Sequence, residues 1–174
     1  MKNYFDLTGQ VAVVTGCSTG LGVQMAKALA SQGANIVALA RRQNLIDEVA
    51  AEISKEYGVK AIGVPCDITD TEKVNAAVDT VLKEMGRIDI LINNAGTGGV
   101  TPAEDVPDEM FLNEVNIDLT GTFKMARAVA KKAMIPANYG RIINIASMYG
   151  MVGNKIAGSA PYHAAKGGVV NLTR

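Results

Sequence analysis

Short apolar runs alternate with longer amphipathic stretches along most of this chain. Val11-Ala12-Val13-Val14 has no polar break and suits a strand buried on both faces of a parallel sheet. From Leu21 to Ala30 the spacing becomes helical, and it stops at Gly33, a residue suited to a helix C-terminus. Residues 34–40 predict a second strand and residues 59–66 a third, with Pro65 near its end. Between them Asn44 can cap a helix that runs to about Tyr57 and ends at Gly58. Thr69-Asp70-Thr71-Glu72 has capping-box spacing from Thr69 to Glu72, and its helix reaches Met85 before Gly86. Residues 88–93 predict a fourth strand. A long helical stretch then runs from about Asp108 to Met134, interrupted near Gly121 and closed before Pro136. Residues 141–146 are the fifth expected strand, and a last helix begins near Pro161. Strands alternating with helices imply right-handed parallel crossovers. The expected fold class is therefore α/β, a doubly wound parallel sheet with ligands at the carboxyl ends of its strands.

A length of 174 residues fits one domain, 1–174. Lys plus Arg and Asp plus Glu each number 17, so nothing in the charge balance points to nucleic acid or to an anionic membrane surface. Cys17 and Cys66 have no metal-ligand spacing, and no metal is expected. They do not suggest a disulfide framework either, so a cytoplasmic protein is expected. No apolar run is long enough to span a bilayer, and the N-terminus does not read as a signal peptide.

The turn between the first strand and the first helix reads Thr15-Gly16-Cys17-Ser18-Thr19-Gly20-Leu21-Gly22. Glycines there let backbone N–H groups approach a pyrophosphate, and the helix N-terminus adds partial positive charge. The spacing is not the common GxGxxG, and the GK[ST] of a mononucleotide P-loop is absent. A glycine-rich turn alone is often an ordinary tight loop; between a strand and a helix it favours a dinucleotide. Cys17 reads as a small residue filling the loop, with an oxidation-sensitive thiol as the lesser reading. Near the other end, Tyr162 and Lys166 stand four positions apart, which stacks them on one helix face. A phenol titrates near pH 10, and an adjacent ammonium favours the phenolate, so the pair is a candidate general acid/base.

Taken together these residues resemble the short-chain dehydrogenase/reductase family, with 3-oxoacyl-carrier-protein reductases and sugar or polyol dehydrogenases among the similar members. The motifs are Thr15 to Gly22, Asn93-Asn94-Ala95-Gly96, a serine after a strand at Ser147, Tyr162 to Lys166, and Asn116 in Asn116-Ile117-Asp118-Leu119-Thr120-Gly121. The resemblance implies a Rossmann-like, cofactor-binding fold and a catalytic set of Asn116, Ser147, Tyr162 and Lys166. Ser147 would bond the substrate oxygen and Tyr162 would exchange its proton. Lys166 would favour the phenolate and bond the nicotinamide ribose, and Asn116 would hold a water leading to solvent. Cofactor contacts are expected from Gly16, Ser18, Thr19, Gly20, Leu21, Gly22, Arg41, Asp67, Ile68, Asn94, Ala95, Gly96, Tyr162 and Lys166. Asp67 would meet the adenine amino group, or else serve the start of the next helix. One departure is the 15 positions from Ser147 to Tyr162, slightly longer than the family's gap, which suggests a small insertion within residues 153–160.

After the second strand, where a dinucleotide site usually carries an acid for the ribose hydroxyls, the sequence reads Ala40-Arg41-Arg42. The missing acid and the arginine fork point to NADP(H), with NAD(H) as the alternative, and Arg41 as the nearer of the two to the strand. The expected activity is hydride transfer between nicotinamide and a ketone or secondary alcohol, on a small-molecule substrate. The alternative is a dinucleotide-binding sensor or scaffold without turnover. Residues 97–107 and 148–159 should border the substrate pocket, where Lys155 is the sole cation of the second loop. His163, next to Tyr162, should point away from its helix face and reads as structural or surface. The family's further C-terminal strands and substrate-covering segment are absent, so a truncated chain is expected, with the fifth strand at a sheet edge and a homo-oligomer in the intact form.

Overall fold

Five parallel strands in the order β3-β2-β1-β4-β5 put the first strand at the centre of the sheet. A computed structural model describes residues 3–154 and 158–174; Lys155 and part of the segment 153–160 lie outside the described residues. β1 (Val11–Thr15) pairs with β2 (Asn35–Ala40) on one side and with β4 (Ile90–Asn93) on the other. β3 (Ala61–Pro65) flanks β2, and β5 (Arg141–Asn144) flanks β4. All lie where the apolar runs place them, with ends shifted by a residue or two. The order reverses between β1 and β4, which opens a crevice at their carboxyl ends. β5 is an outer strand, with Ile143 47% exposed.

Period-two alternation divides the core between the two sheet faces. Val11, Val13, Val37, Leu39 and Leu91 pack with α3 (Thr71–Met85) and α5 (Thr122–Val129). Ala12, Val14, Ile36, Ala38, Ile90 and Ile92 pack with α1 (Gly20–Ser31) and α2 (Gln43–Tyr57). Strand burial on both faces explains the unbroken apolar runs.

Two helix starts differ from expectation. Asn44 lies inside α2, because the chain enters the helix straight after Arg42, which makes no side-chain cap bond. At α3 the cap is Asp70, whose carboxylate accepts the N–H groups of Glu72 and Lys73 at 2.9 and 3.1 Å. The Thr69 hydroxyl is taken instead by Asp67, to which it donates at 2.7 Å. The stops at Gly58 and Gly86 are both left-handed, as the sequence implies.

The long helical stretch is interrupted near Gly121, by a change of helix type and not by a break in the rod. α4 (Asp108–Val115) passes through a π-helical segment, Asn116–Gly121, into α5, then through a second, Ala130–Met134, into α6 (Ile135–Ala137). Gly121 is helical, and its missing side chain makes room for Ile68, whose Cδ1 would lie 2.6 Å from a Cβ. Pro136 is carried within α6, after the second wide turn, and the rod ends at Asn138 in left-handed conformation. The last helix, α7, spans Ala160–Thr173. Among the described residues no helix is long and apolar enough to cross a membrane.

Candidate functional site

The crevice at the strand ends opens into a cleft of about 480 Å³. Its wall begins with the glycine turn. Gly16 has φ +66°, and a Cβ there would stand 2.8 Å from the Ala95 Cα. At Gly22 a Cβ would meet the Gly16 carbonyl oxygen at 2.5 Å and the Asn94 amide nitrogen at 2.8 Å. Backbone therefore touches backbone, and only glycine fits. Thr15 joins the two strands that flank the crevice. Its hydroxyl donates to the Ile92 carbonyl at 3.3 Å and accepts the N–H groups of Asn94 and Ala95, both at 3.0 Å. The Asn94 side chain donates to the Thr15 carbonyl at 3.0 Å, so it braces the turn.

Gly16, Ser18, Thr19, Arg41, Asp67, Ile68, Ala95 and Gly96 line the cleft together. Gly20, Leu21, Gly22 and Asn94 do not: the first three open α1, with Leu21 exposed, and Asn94 stands behind the turn. Cys17 is buried and its thiol donates to the Gly22 carbonyl at 3.5 Å; burial pushes its pKa up to about 12, so it fills space. Arg41 and Arg42 both border the cleft, and Arg42 reaches back to donate to the Ser18 hydroxyl at 3.0 Å. Asp67 accepts the hydroxyl and N–H of Thr69, and these bonds hold its carboxyl below the usual range.

Tyr162 and Lys166 share one face of α7, with the Lys166 nitrogen 5.5 Å from the phenol ring centroid. Lys166 is buried and donates to the Ile145 carbonyl at 2.9 Å, just beyond β5. Two residues later Ser147 turns the chain, its hydroxyl oxygen accepting the Tyr149 N–H at 3.2 Å. The turn packs closely on α7, since a Cβ at Gly150 would lie 2.7 Å from the Lys166 carbonyl oxygen. The Tyr162 ring lies over Gly98, at 3.3 Å from where a Cβ would stand. Asn116 is half-buried and begins the first π-helical segment.

Two acids escaped the sequence reading. Asp118 is fully buried, accepts the Thr97 N–H at 2.7 Å, and places its other oxygen 3.7 Å from the Lys166 nitrogen. Burial raises its pKa above the usual carboxylate range; the Thr97 bond and the Lys166 charge oppose that rise, and Glu114 adds to it. Glu114, also buried, accepts the Gly99 N–H at 3.0 Å. The pair thus fixes the loop after β4 from one helix face. His163 is half-buried: its Nδ1 lies 2.7 Å from the Ser159 carbonyl and its ring packs on Tyr149.

Residues 10–174 match the family model described as short chain dehydrogenase. The chain is 42% identical over 171 residues to the 2-dehydro-3-deoxy-D-gluconate 5-dehydrogenase of Formosa agariphila, covering 98% of this chain and 63% of that protein. It is 40% identical over 169 residues to a 3-oxoacyl-[acyl-carrier-protein] reductase of Synechocystis, covering 97% and 67%. The crystal structure of an NAD+-bound xylitol dehydrogenase superposes with a TM-score of 0.91 at 37% identity, covering 98% of this chain and 64% of that one. The chain accordingly spans a little under two thirds of the length of several of its relatives. A parallel sheet wound both ways from β1, a glycine turn against β4, and a match over nearly its whole length show that the chain belongs to the short-chain dehydrogenase family.

Proposed function

We propose that this chain is the dinucleotide-binding and catalytic domain of an oxidoreductase that interconverts a ketone and a secondary alcohol, with Tyr162 as general acid/base. The observation that carries the reading is a buried ammonium beside a phenol: Lys166 sits on the Tyr162 face with its nitrogen 5.5 Å from the ring centroid. Such a charge favours the phenolate and eases proton exchange with a substrate oxygen.

The cleft fits a dinucleotide. The glycine turn, packed so tightly that a Cβ at Gly16 or Gly22 would clash with it or with the loop after β4, opens at a helix N-terminus, where pyrophosphate is favoured. Ser18, Thr19, Ala95 and Gly96 would hold the cofactor, with Asp67 and Ile68 at the adenine end. Arg41 and Arg42 would take a ribose 2′-phosphate, and Arg42 is already anchored on Ser18. When bound, the nicotinamide supplies or takes the hydride. Tyr162 moves the proton at the substrate oxygen, Ser147 bonds that oxygen, and Lys166 holds the ribose and the phenolate. NADP(H) follows from the arginines; the NAD+ in the similar xylitol dehydrogenase makes NAD(H) the comparison to run. Relatives acting on a sugar acid and on oxoacyl groups define the substrate panel.

The test is a set of ketones and alcohols followed by NADPH or NADH absorbance, with Tyr162→Phe alongside. Turnover that collapses in Tyr162→Phe while cofactor affinity persists supports the reading. Near-normal turnover by that variant refutes it, and cofactor binding without turnover on any substrate favours a sensor.

A further inference from the structure

Lys166 is an ammonium with a side chain only 5% exposed, and one carbonyl, that of Ile145, is its hydrogen-bond acceptor. A carbonyl dipole does not balance a buried unit charge; without a counter-ion the amine loses its proton or its place. The counter-charge comes from a different element. Asp118, in the π-helical segment after α4, has a fully buried carboxylate with two distinct duties. Oδ1 takes the Thr97 N–H at 2.7 Å. Among the described residues Oδ2 has no hydrogen-bond partner, and it stands 3.7 Å from the Lys166 nitrogen. The neighbouring loop lies close against this group: at Gly96 a Cβ would come within 3.1 Å of Oδ1, a tight contact that glycine avoids.

We propose that Asp118 is a positioning residue whose carboxylate keeps the Lys166 ammonium charged and in place beside Tyr162, and ties it to the backbone of Thr97. The proposal rests on the reading of Tyr162 and Lys166 as the proton-handling pair. Groups facing the carboxylate are Lys166 from α7, Glu114 from α4 and the Thr97 N–H from the β4 loop, with Tyr162 beyond Lys166. Two effects follow from removing its charge. A buried ammonium without its counter-charge gives up its proton more readily, and a phenol beside an unbalanced ammonium ionises more readily. In carbonyl reduction the proton comes from the neutral phenol, so both effects move the alkaline limb of the rate profile the same way.

The experiment uses Asp118→Asn, which keeps an oxygen for Thr97 and removes only the charge. The pH profile of ketone reduction should show its alkaline limb displaced downward by about one unit or more, with kcat falling more than KM rises. Asp118→Glu should restore part of the limb. A role confined to holding Thr97 predicts an unmoved limb, and that result overturns the proposal. A second measurement needs no turnover: denaturant unfolding of Asp118→Asn, Lys166→Met and the double variant. Each single change strands a buried charge, so the double variant should lose less stability than the two losses added. Additive losses overturn the ion pair even if no substrate is ever found, which separates this failure from failure of the proposed activity. Should Asp118→Asn alone fail to fold, folding regained in the double variant supports the pair, and folding not regained counts against it.

Discussion

Adding one methyl group at Gly22 tests the reading of the crevice most directly. The backbone at Gly22 is not left-handed, so alanine meets no conformational penalty there; the penalty is space. Its Cβ would lie 2.5 Å from the Gly16 carbonyl oxygen, 3.0 Å from the Gly16 carbonyl carbon and 2.8 Å from the Asn94 amide nitrogen. None of these can swing away. Gly16 is the turn itself, already pressed on Ala95, and the Asn94 amide is held by the Thr15 carbonyl at 3.0 Å. Overpacking of this kind costs about 1–3 kcal/mol, and a strained Asn94 bond adds about 0.5–1.5 kcal/mol, so roughly 2–4 kcal/mol is expected. Because the displaced atoms belong to the turn proposed to hold the pyrophosphate, NADPH affinity should fall at least about tenfold. Gly58→Ala is the control. It has φ +69° and open space around it, so it should cost about 1–2 kcal/mol through backbone strain alone and leave affinity intact. Stability is read by urea unfolding. The chain has no tryptophan, so binding is followed by the fluorescence of the reduced nicotinamide. If Gly22→Ala destabilises no more than Gly58→Ala and binds cofactor normally, the close approach of turn and β4 is not what shapes the site.

Arg42→Ala should weaken NADPH by about tenfold or more, the usual loss for a charge-assisted bond, with little effect on NADH. Arg41→Ala should act in the same direction but less, since Arg42 is the one anchored on Ser18; equal losses for both cofactors would remove the phosphate assignment. Asp70→Ala should lower the urea midpoint by uncapping α3. The backbone bonds from Lys73 and Glu72 hold the Asp70 carboxyl below its ordinary range, so its contribution is full above the unfolded pKa. It is lost as pH falls through the depressed folded value, and the wild-type and variant midpoints should converge there. Cys17 and Cys66 are buried with pKa values pushed to about 12, so iodoacetamide should label neither until the protein is unfolded; native labelling of Cys17 would contradict the packed turn.

Strands and stops were legible because their causes are local: an apolar run suits a strand covered on both faces, and a glycine suits a left-handed stop. The α-helical pattern does change near Gly121, but the glycine there yields space to Ile68, and the extra turn width comes from π hydrogen bonding, which has no residue signature. Closeness to the strand favours Arg41 in the sequence, but it does not fix which side chain turns back to Ser18; in the structure that is Arg42. The two buried acids did leave a trace. Glu114, Asp118, Thr122, Met125 and Val129 recur at helical spacing, all buried, and carboxylates on such a stripe need partners. Nothing in the stripe itself says that the partner is Lys166, which comes from another helix.

The Thr15 hydroxyl has one proton to give and two lone pairs to offer, and all three are used across the crevice. Its partners Asn94 and Ala95 lie 79 and 80 residues further along the chain, and the buried Asp89 binds the Val11 N–H over a gap of 78. The crevice therefore has no precursor in any short segment. It appears only when the crossover from β1 through β3 and α3 has closed on β4, a slow, non-local step in folding. Once closed, it has no private way to open: freeing the Asn94 and Ala95 amides means parting the two central strands. Those amides should exchange with solvent deuterium on the timescale of whole-sheet unfolding, alongside Val13 and Leu91, and not with exposed loop amides.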